Sequence, residues 1–166
     1  MLYHPQRMAL RNVLVFALGG ARYALELRWV REVVSVAAIT PVPTAPAAIA
    51  GTMNFRGAIV PVIGPAALFA PHPPPDRARL PRVGDQAILV DVEGTRAAVP
   101  ADRIDEVTTL MEAPAELRRH GDAVVDAKGK PIPLLDPPAI LAEVLWRVNE
   151  AAEKLAARLS GEKPSP

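Results

Sequence analysis

Cysteine is absent from this chain of 166 residues, so it can have no disulfide framework and no thiolate chemistry. Aromatic residues are scarce, at 4%. A core must therefore be filled by Val, Leu, Ile and Ala, and the stacking platforms that hold single-stranded nucleic acids are lacking. The three histidines, His4, His72 and His120, have no His or Cys partner at metal-ligand spacing, which excludes a zinc site of the usual kind. No stretch approaches the roughly 18 uninterrupted apolar residues of a membrane span. Met1 to Arg11 holds no apolar segment of the secretory type, so a soluble, cytoplasmic protein is expected. A formal charge of +1 offers no electrostatic case for nucleic acid or an anionic membrane as partner. GxSxG does not occur, and Gly19-Gly20 is not followed by Lys-Ser/Thr, so neither a nucleophile elbow nor a phosphate cradle is present.

What the chain does contain is a repeat. Val13–Val33 and Ala87–Val107 align without a gap at an offset of 74 residues. Gly20 meets Gly94, Arg22 meets Arg96, Glu32 meets Glu106 and Val33 meets Val107. Arg56–Ile63 then meets Lys128–Leu135 at an offset of 72, so the two halves repeat in the same order. In each half an apolar run, a glycine turn and a second short run read as a β-hairpin, with turns at Gly19-Gly20 and Glu93-Gly94. Second hairpins are predicted at Arg56-Gly57 and Lys128-Gly129, where glycine reaches positive φ without steric cost. Pro61 and Pro133 fall in the returning strands and are expected on an edge or at a bulge, because proline cannot donate to a ladder. Many short strands with frequent turns read as small barrels rather than a parallel α/β sheet.

Two further segments stand out. The run Pro73-Pro74-Pro75 lies in a stiff, extended linker. Asp136 and Pro137 then start a C-terminal helix as N-cap and first-turn residue. Leu141, Leu145, Val148, Ala152, Leu155 and Leu159 follow at a heptad-like spacing of 4, 3, 4, 3, 4, which suits packing on the barrels or contact with a partner.

The stretch Gly51-Thr52-Met53-Asn54-Phe55-Arg56-Gly57-Ala58-Ile59-Val60-Pro61-Val62 resembles the signature of the CheW-like family of bacterial chemotaxis coupling proteins. Val15–Leu18, Tyr23–Leu25, Val30–Val33, Pro43–Pro46, Asp102–Val107 and Leu134–Asp136 are similar to the family's other motifs. Gly64-Pro65-Ala66 departs from it, standing where the family usually has Asp-Leu-Arg.

The resemblance implies a mainly β fold of two SH3-like five-stranded β-barrel subdomains with a C-terminal α-helix. A single domain is expected at about 12–141, with one subdomain at about 12–70, a proline-rich linker at 71–82 and a second subdomain at about 83–136. The helix is expected at 137–160, and flexible tails at 1–11 and 161–166. The family implies no catalysis and no cofactor. Its partners are the regulatory domain of a CheA-like histidine kinase and the cytoplasmic tip of chemoreceptors, with no nucleic acid and no membrane insertion.

Arg56 and Glu32 are the residues the resemblance assigns to a partner-binding surface, as a pair that orients the receptor-binding edge. Val30 and Val33, with Ile104 in the second half, are apolar anchors on this reading and core residues on the plain one. Asn54, Gly57 and Gly129 are expected to set turns. Two alternatives stand beside the chemotaxis adaptor. One is an adaptor of a pilus or surface-sensing pathway. The other is a carboxylate enzyme at the barrel junction using Asp102, Asp105 and Glu106, against the plain reading of solvated charges.

Overall fold

Two apolar runs organise the chain. In Val13–Leu18 and Ala87–Val90 nearly every residue is buried, not every second one, which requires strands covered on both faces. The computed structural model describes residues 8–43, 45–64, 79–118 and 121–161. The first run lies in β1 (Leu10–Leu18), which turns at Gly19-Gly20 into β2 (Ala21–Glu26). The second lies in β6 (Gln86–Val92), which turns at Glu93-Gly94 into β7 (Thr95–Ala101). Three strands follow each hairpin. They are β3 (Val30–Ser35), β4 (Ile49–Phe55) and β5 (Ala58–Ile63) after the first, and β8 (Arg103–Glu112), β9 (Ala123–Val125) and β10 (Pro131–Pro133) after the second. A helix, α1 (Pro137–Leu159), closes the described chain.

Among the described residues there are two five-stranded sheets, in the orders β10-β9-β8-β1-β2 and β3-β6-β7-β5-β4. They do not follow the expected division at 12–70 and 83–136. Each half contributes its hairpin to the sheet of the other half, so β1–β2 pairs with β8 and β6–β7 pairs with β3. The reason lies in the cores. Val13, Val15 and Ala24 of the first hairpin fill the inside of one sheet with Val124 and Ile132. Leu14, Phe16, Leu18, Tyr23 and Leu25, on its other face, join the large core between the sheets. The second hairpin repeats this at the 74-residue offset. Ala87, Leu89 and Ala98 fill the inside of their own sheet, and Ile88, Val90, Ala97 and Val99 face the shared core.

The repeat is carried into the hydrogen-bonding geometry. Val62 of β5 makes a parallel pair with Ala98 of β7. The residues at the two sequence offsets, Leu134 and Ala24, form an isolated parallel bridge that joins the two outer ends of the other sheet. There the Leu135 amide donates to the Ala24 carbonyl at 2.9 Å. In the β3–β7 sheet, Thr40, in the connection between β3 and β4, bridges Thr52 of β4, with amides donating both ways at 2.8 and 2.9 Å.

Several expectations are corrected. Leu10 and Arg11 are not tail residues, since they pair with Met111 and Leu110. Of the proposed linker, residues 71–78 lie outside the described residues, as do residues 1–7 and 162–166 of the tails. Arg79 grips Asp85 through both guanidinium nitrogens, at 2.7 and 2.9 Å, so residues 79–85 form a tied turn. Pro61 is not on an edge strand, because β5 lies between β7 and β4. The two-residue turn makes Phe55–Ala58 and Met53–Val60 the hydrogen-bonded pairs, so the Pro61 nitrogen points away from β4 and no β4 ladder bond is lost. Pro133 does lie on an outer strand. In α1, the Asp136 carboxylate accepts from the Ala139 amide at 3.4 Å. Its buried face is Pro137, Ile140, Leu141 and Val144. The heptad-like series therefore splits: Leu141 is buried, whereas Leu145 is 58% exposed and Leu159 is 81% exposed.

Because each sheet draws strands from both halves, neither half can bury its hairpin alone. We expect the separate fragments Met1–His72 and Pro73–Pro166 to lack cooperative thermal unfolding by circular dichroism. Mixing them should restore a single transition. A cooperative melt from either fragment alone would contradict the exchanged topology.

Candidate interaction surface

At the β4–β5 turn only Arg56 and Gly57 separate the strands. Their φ values, 49° and 83°, are the two positive angles of a type I′ hairpin turn. Asn54 fixes this turn, its Oδ1 accepting from the Gly57 amide at 3.0 Å. Gly94 ends another two-residue turn, and Asp91 Oδ1 accepts from its amide at 2.8 Å. Gly57 reaches its angle freely. Arg56, with a side chain, does so at a steric cost.

The turn aims Arg56 at β3. Its Nη1 donates to Glu32 Oε1 at 3.2 Å and its Nη2 to Glu32 Oε2 at 3.3 Å, a two-pronged pair. β3 and β4 are the outer strands of their sheet, so this pair, between β3 and the β4–β5 turn, links the two ends of the sheet. The guanidinium also lies over the Phe55 ring, 4.8 Å from its centroid. The Arg56 side chain nevertheless remains 74% exposed. Four local restraints thus hold one cation at the surface. In water such a pair adds only about 0.2–1 kcal/mol to stability, so its chief effect is orientation.

The structure brings Glu32, Arg56, Asn54 and Gly57 together, with Val33 exposed one residue along β3 from Glu32. Val30 and Ile104 are partly buried and pack against the inter-sheet core. Gly129 lies away from this cluster, in the β9–β10 turn, with φ 74° and its amide donating to the Asp126 carbonyl at 2.9 Å.

Two further features were missed in the sequence. Ile59, across from Asn54, is 69% exposed, and its signal was a large apolar residue at an outward strand position beside the turn. Arg31 and Arg96 both reach Asp91, at 2.9 and 3.4 Å, across three neighbouring strands. Asp91 and Arg96 face each other across the Glu93-Gly94 hairpin and so were locally legible, but nothing local marks Arg31 as their partner.

Here the repeat stops being symmetrical. The counterparts of Glu32 and Arg56 are Glu106 and Lys128, yet Glu106 lies against Arg22 at 3.8 Å. Arg22 also meets Asp105 at 3.5 Å and Asp126 at 3.3 Å. In the β3–β7 sheet the turn supplies the cation and the strand the anion. In the other sheet the turn supplies an anion, Asp126, and the cation comes from β2.

The three carboxylates considered for catalysis each have structural partners, and Asp105 and Glu106 share Arg22. Asp102 accepts from the Gly19 amide at 2.8 Å and holds the β1–β2 turn. Asp105 also takes a hydrogen bond from Arg103 Nε at 2.5 Å, and Glu106 is on Arg22. Among the described residues, no group of three His, Cys, Asp or Glu side chains is placed to hold a metal ion, and no helix is long and apolar enough to cross a membrane.

The Gly94 amide and Arg31, with Arg96 adding less, hold the Asp91 carboxyl below the usual carboxylate range against the opposing effect of burial. Asp126 is lowered in the same direction, chiefly by the Lys130 amide. A depressed folded value stabilises the native state above the unfolded carboxyl value of about 3.9, and this contribution is lost as pH falls through the folded value. The urea midpoint should therefore drop on acidification below about pH 4. Asp91→Asn should flatten part of that drop, and an unchanged profile would count against the ion-pair assignment.

Comparison with known proteins agrees with this architecture. The model of the CheW-like domain family matches residues 12–145. The chain is 26% identical over 102 residues to the chemotaxis protein CheW of Rhizobium meliloti (strain 1021), covering 61% of this chain and 63% of that protein. It is 29% identical over 105 residues to the chemotaxis protein CheW of Treponema pallidum (strain Nichols), covering 61% and 59%. The match thus spans about three fifths of each curated relative. The crystal structure of the scaffolding protein TtCheW from Thermoanaerobacter tengcongensis has the same fold, with a TM-score of 0.59 and 24% identity over 82% of this chain and 91% of that one. Since the family match covers most of its length and both curled sheets, this chain belongs to the CheW-like domain family.

Proposed function

We propose that this protein is a non-catalytic cytoplasmic adaptor that couples chemoreceptor tips to the regulatory domain of a histidine kinase in a chemosensory array. Membership of the CheW-like family and the chemotaxis names of its relatives support the reading. The observation that carries it is Arg56, an exposed cation held by Glu32, Phe55 and a fixed turn. An adaptor gains from such a group because little side-chain freedom is lost on binding. Ile59, exposed beside the turn and opposite Asn54, adds apolar contact, and Val33 is exposed on the other face of β3 from Glu32. Val30 and Ile104 contribute their partly open edges. A charge at the rim of an interface acts mainly on the encounter rate and on partner choice.

The test is binding of the full chain to purified kinase regulatory domains and receptor tips. Arg56→Glu and Glu32→Arg should each weaken the association by about tenfold or more, chiefly by slowing it, and more strongly at low salt. Thermal stability should change little, because the pair is exposed. If both variants bind as the wild type does, this surface is not the one used. If the unaltered chain binds neither class of protein, the adaptor reading fails.

A further inference from the structure

The two halves hold each other through contacts that make no use of the segment joining them. β1 pairs with β8 from Leu10–Met111 to Ala17–Arg103, and β3 pairs with β6 from Val30–Val90 to Ser35–Gln86. The Gly19 amide donates to Asp102 at 2.8 Å, Arg22 meets Asp105 at 3.5 Å and Arg31 meets Asp91 at 2.9 Å. Each of these contacts joins residues 8–64 to residues 79–161.

The one covalent join between the halves runs from Gly64 to Arg79, and its sequence contains Pro71-His72-Pro73-Pro74-Pro75. The strands that it connects lie close together. β5 and β6 both border β7, with Val62 level with Ala98 and Gln86 level with Ala101. Two strand spacings and a two-residue offset put the end of β5 about 10–15 Å from the start of β6. Arg79 is tied to Asp85, next to that start. A proline run of this kind favours an extended form and covers about 15 Å by itself. It is longer and stiffer than a connection within one copy needs.

We propose that two copies of this chain exchange halves, residues 8–64 of each folding with residues 79–161 of the other. The exchanged dimer makes the strand pairs, ion pairs and cores of the monomer, now between copies, so it needs no new surface. What differs is the path of the join, which passes from one unit to the other. Within one copy the halves meet at an effective concentration on the order of 1 mM, and a stiff join lowers it. Exchange therefore competes when the chain folds at high concentration. Once formed it is locked, because parting the copies means opening both sheets and the core they share. Glu32, Asn54, Phe55 and Arg56 all belong to one half, so each unit keeps its Arg56 surface whole. The dimer carries two such surfaces, which raises avidity for a clustered target.

Refolding from urea at about 1 mM and at about 1 μM tests the proposal. By sedimentation, the concentrated sample should contain a dimer that persists after dilution, and the dilute sample only monomer. Asn12 and Thr109 face each other across β1 and β8, both exposed, with Thr109 Oγ1 at 2.7 Å from Asn12 Oδ1. The chain has no cysteine of its own. In Asn12→Cys/Thr109→Cys, oxidised after dilution, the disulfide should close within the chain in the monomer and between chains in the dimer. Non-reducing gel electrophoresis separates the two. Copies with Asn12→Cys alone and copies with Thr109→Cys alone should cross-link when refolded together, and not when mixed after folding. Pro73→Gly, Pro74→Gly and Pro75→Gly combined should lower the dimer fraction severalfold. A chain that refolds only to monomer, a dimer that parts on dilution, or disulfides confined to single chains would each overturn the exchange. An undiminished dimer in the glycine variant would do the same. None of these readings depends on binding to a kinase or a receptor.

Discussion

Burial of two hairpins on both faces is the constraint on which this structure depends. A strand such as Val13–Leu18 has no polar face to turn to water, so it needs apolar cover on each side. The fold supplies that cover by exchange. Each hairpin enters the sheet of the other half, lines its interior with one face, and meets its counterpart across the shared core with the other. The two sheets are thereby committed to each other, and α1 seals one side of the same core through Ile140, Leu141 and Val144. The duplication visible in the sequence is thus a physical symmetry that reaches single hydrogen-bonded positions, as the matching Val62–Ala98 and Leu134–Ala24 pairs show.

That symmetry breaks at the surface. Cores tolerate little change, because volume and register must both be kept. Turns and outward strand positions are freer. The two halves therefore share Val13 and Ala87 as core positions but differ at the turns. One turn is two residues long and holds an exposed arginine. The other, around Asp126, draws an anion toward Arg22. On the proposed adaptor reading, unlike partners would need unlike surfaces on a common frame. Charge rearrangement at the turns provides them without disturbing the packing beneath.

The helix shows a related division. Its first turns are anchored by the Asp136 cap and by burial, whereas its later turns carry apolar residues that the sheets do not reach. Geometry decides this, because a helix rises about 1.5 Å per residue and 23 residues outrun the support available beside it.

The amino-acid sequence by itself determined the β class, the glycine turns, the helix cap and the internal repeat, because these rest on local geometry, on short apolar runs between turns and on residues that recur at a fixed offset. It also marked Glu32 and Arg56 as residues of interest, through the resemblance their neighbourhood carries. Local pattern could not say which sheet each hairpin joins, since Leu14 and Val15 are equally apolar and only long-range pairing assigns them to different cores. Nor could it bring Arg31, on a strand distant in the chain, to the Asp91–Arg96 hairpin pair. The same limit hid the split of the helical series into a buried Leu141 and an exposed Leu145. Periodicity shows that a face is apolar, but only the tertiary structure decides how much of that face the sheets can cover.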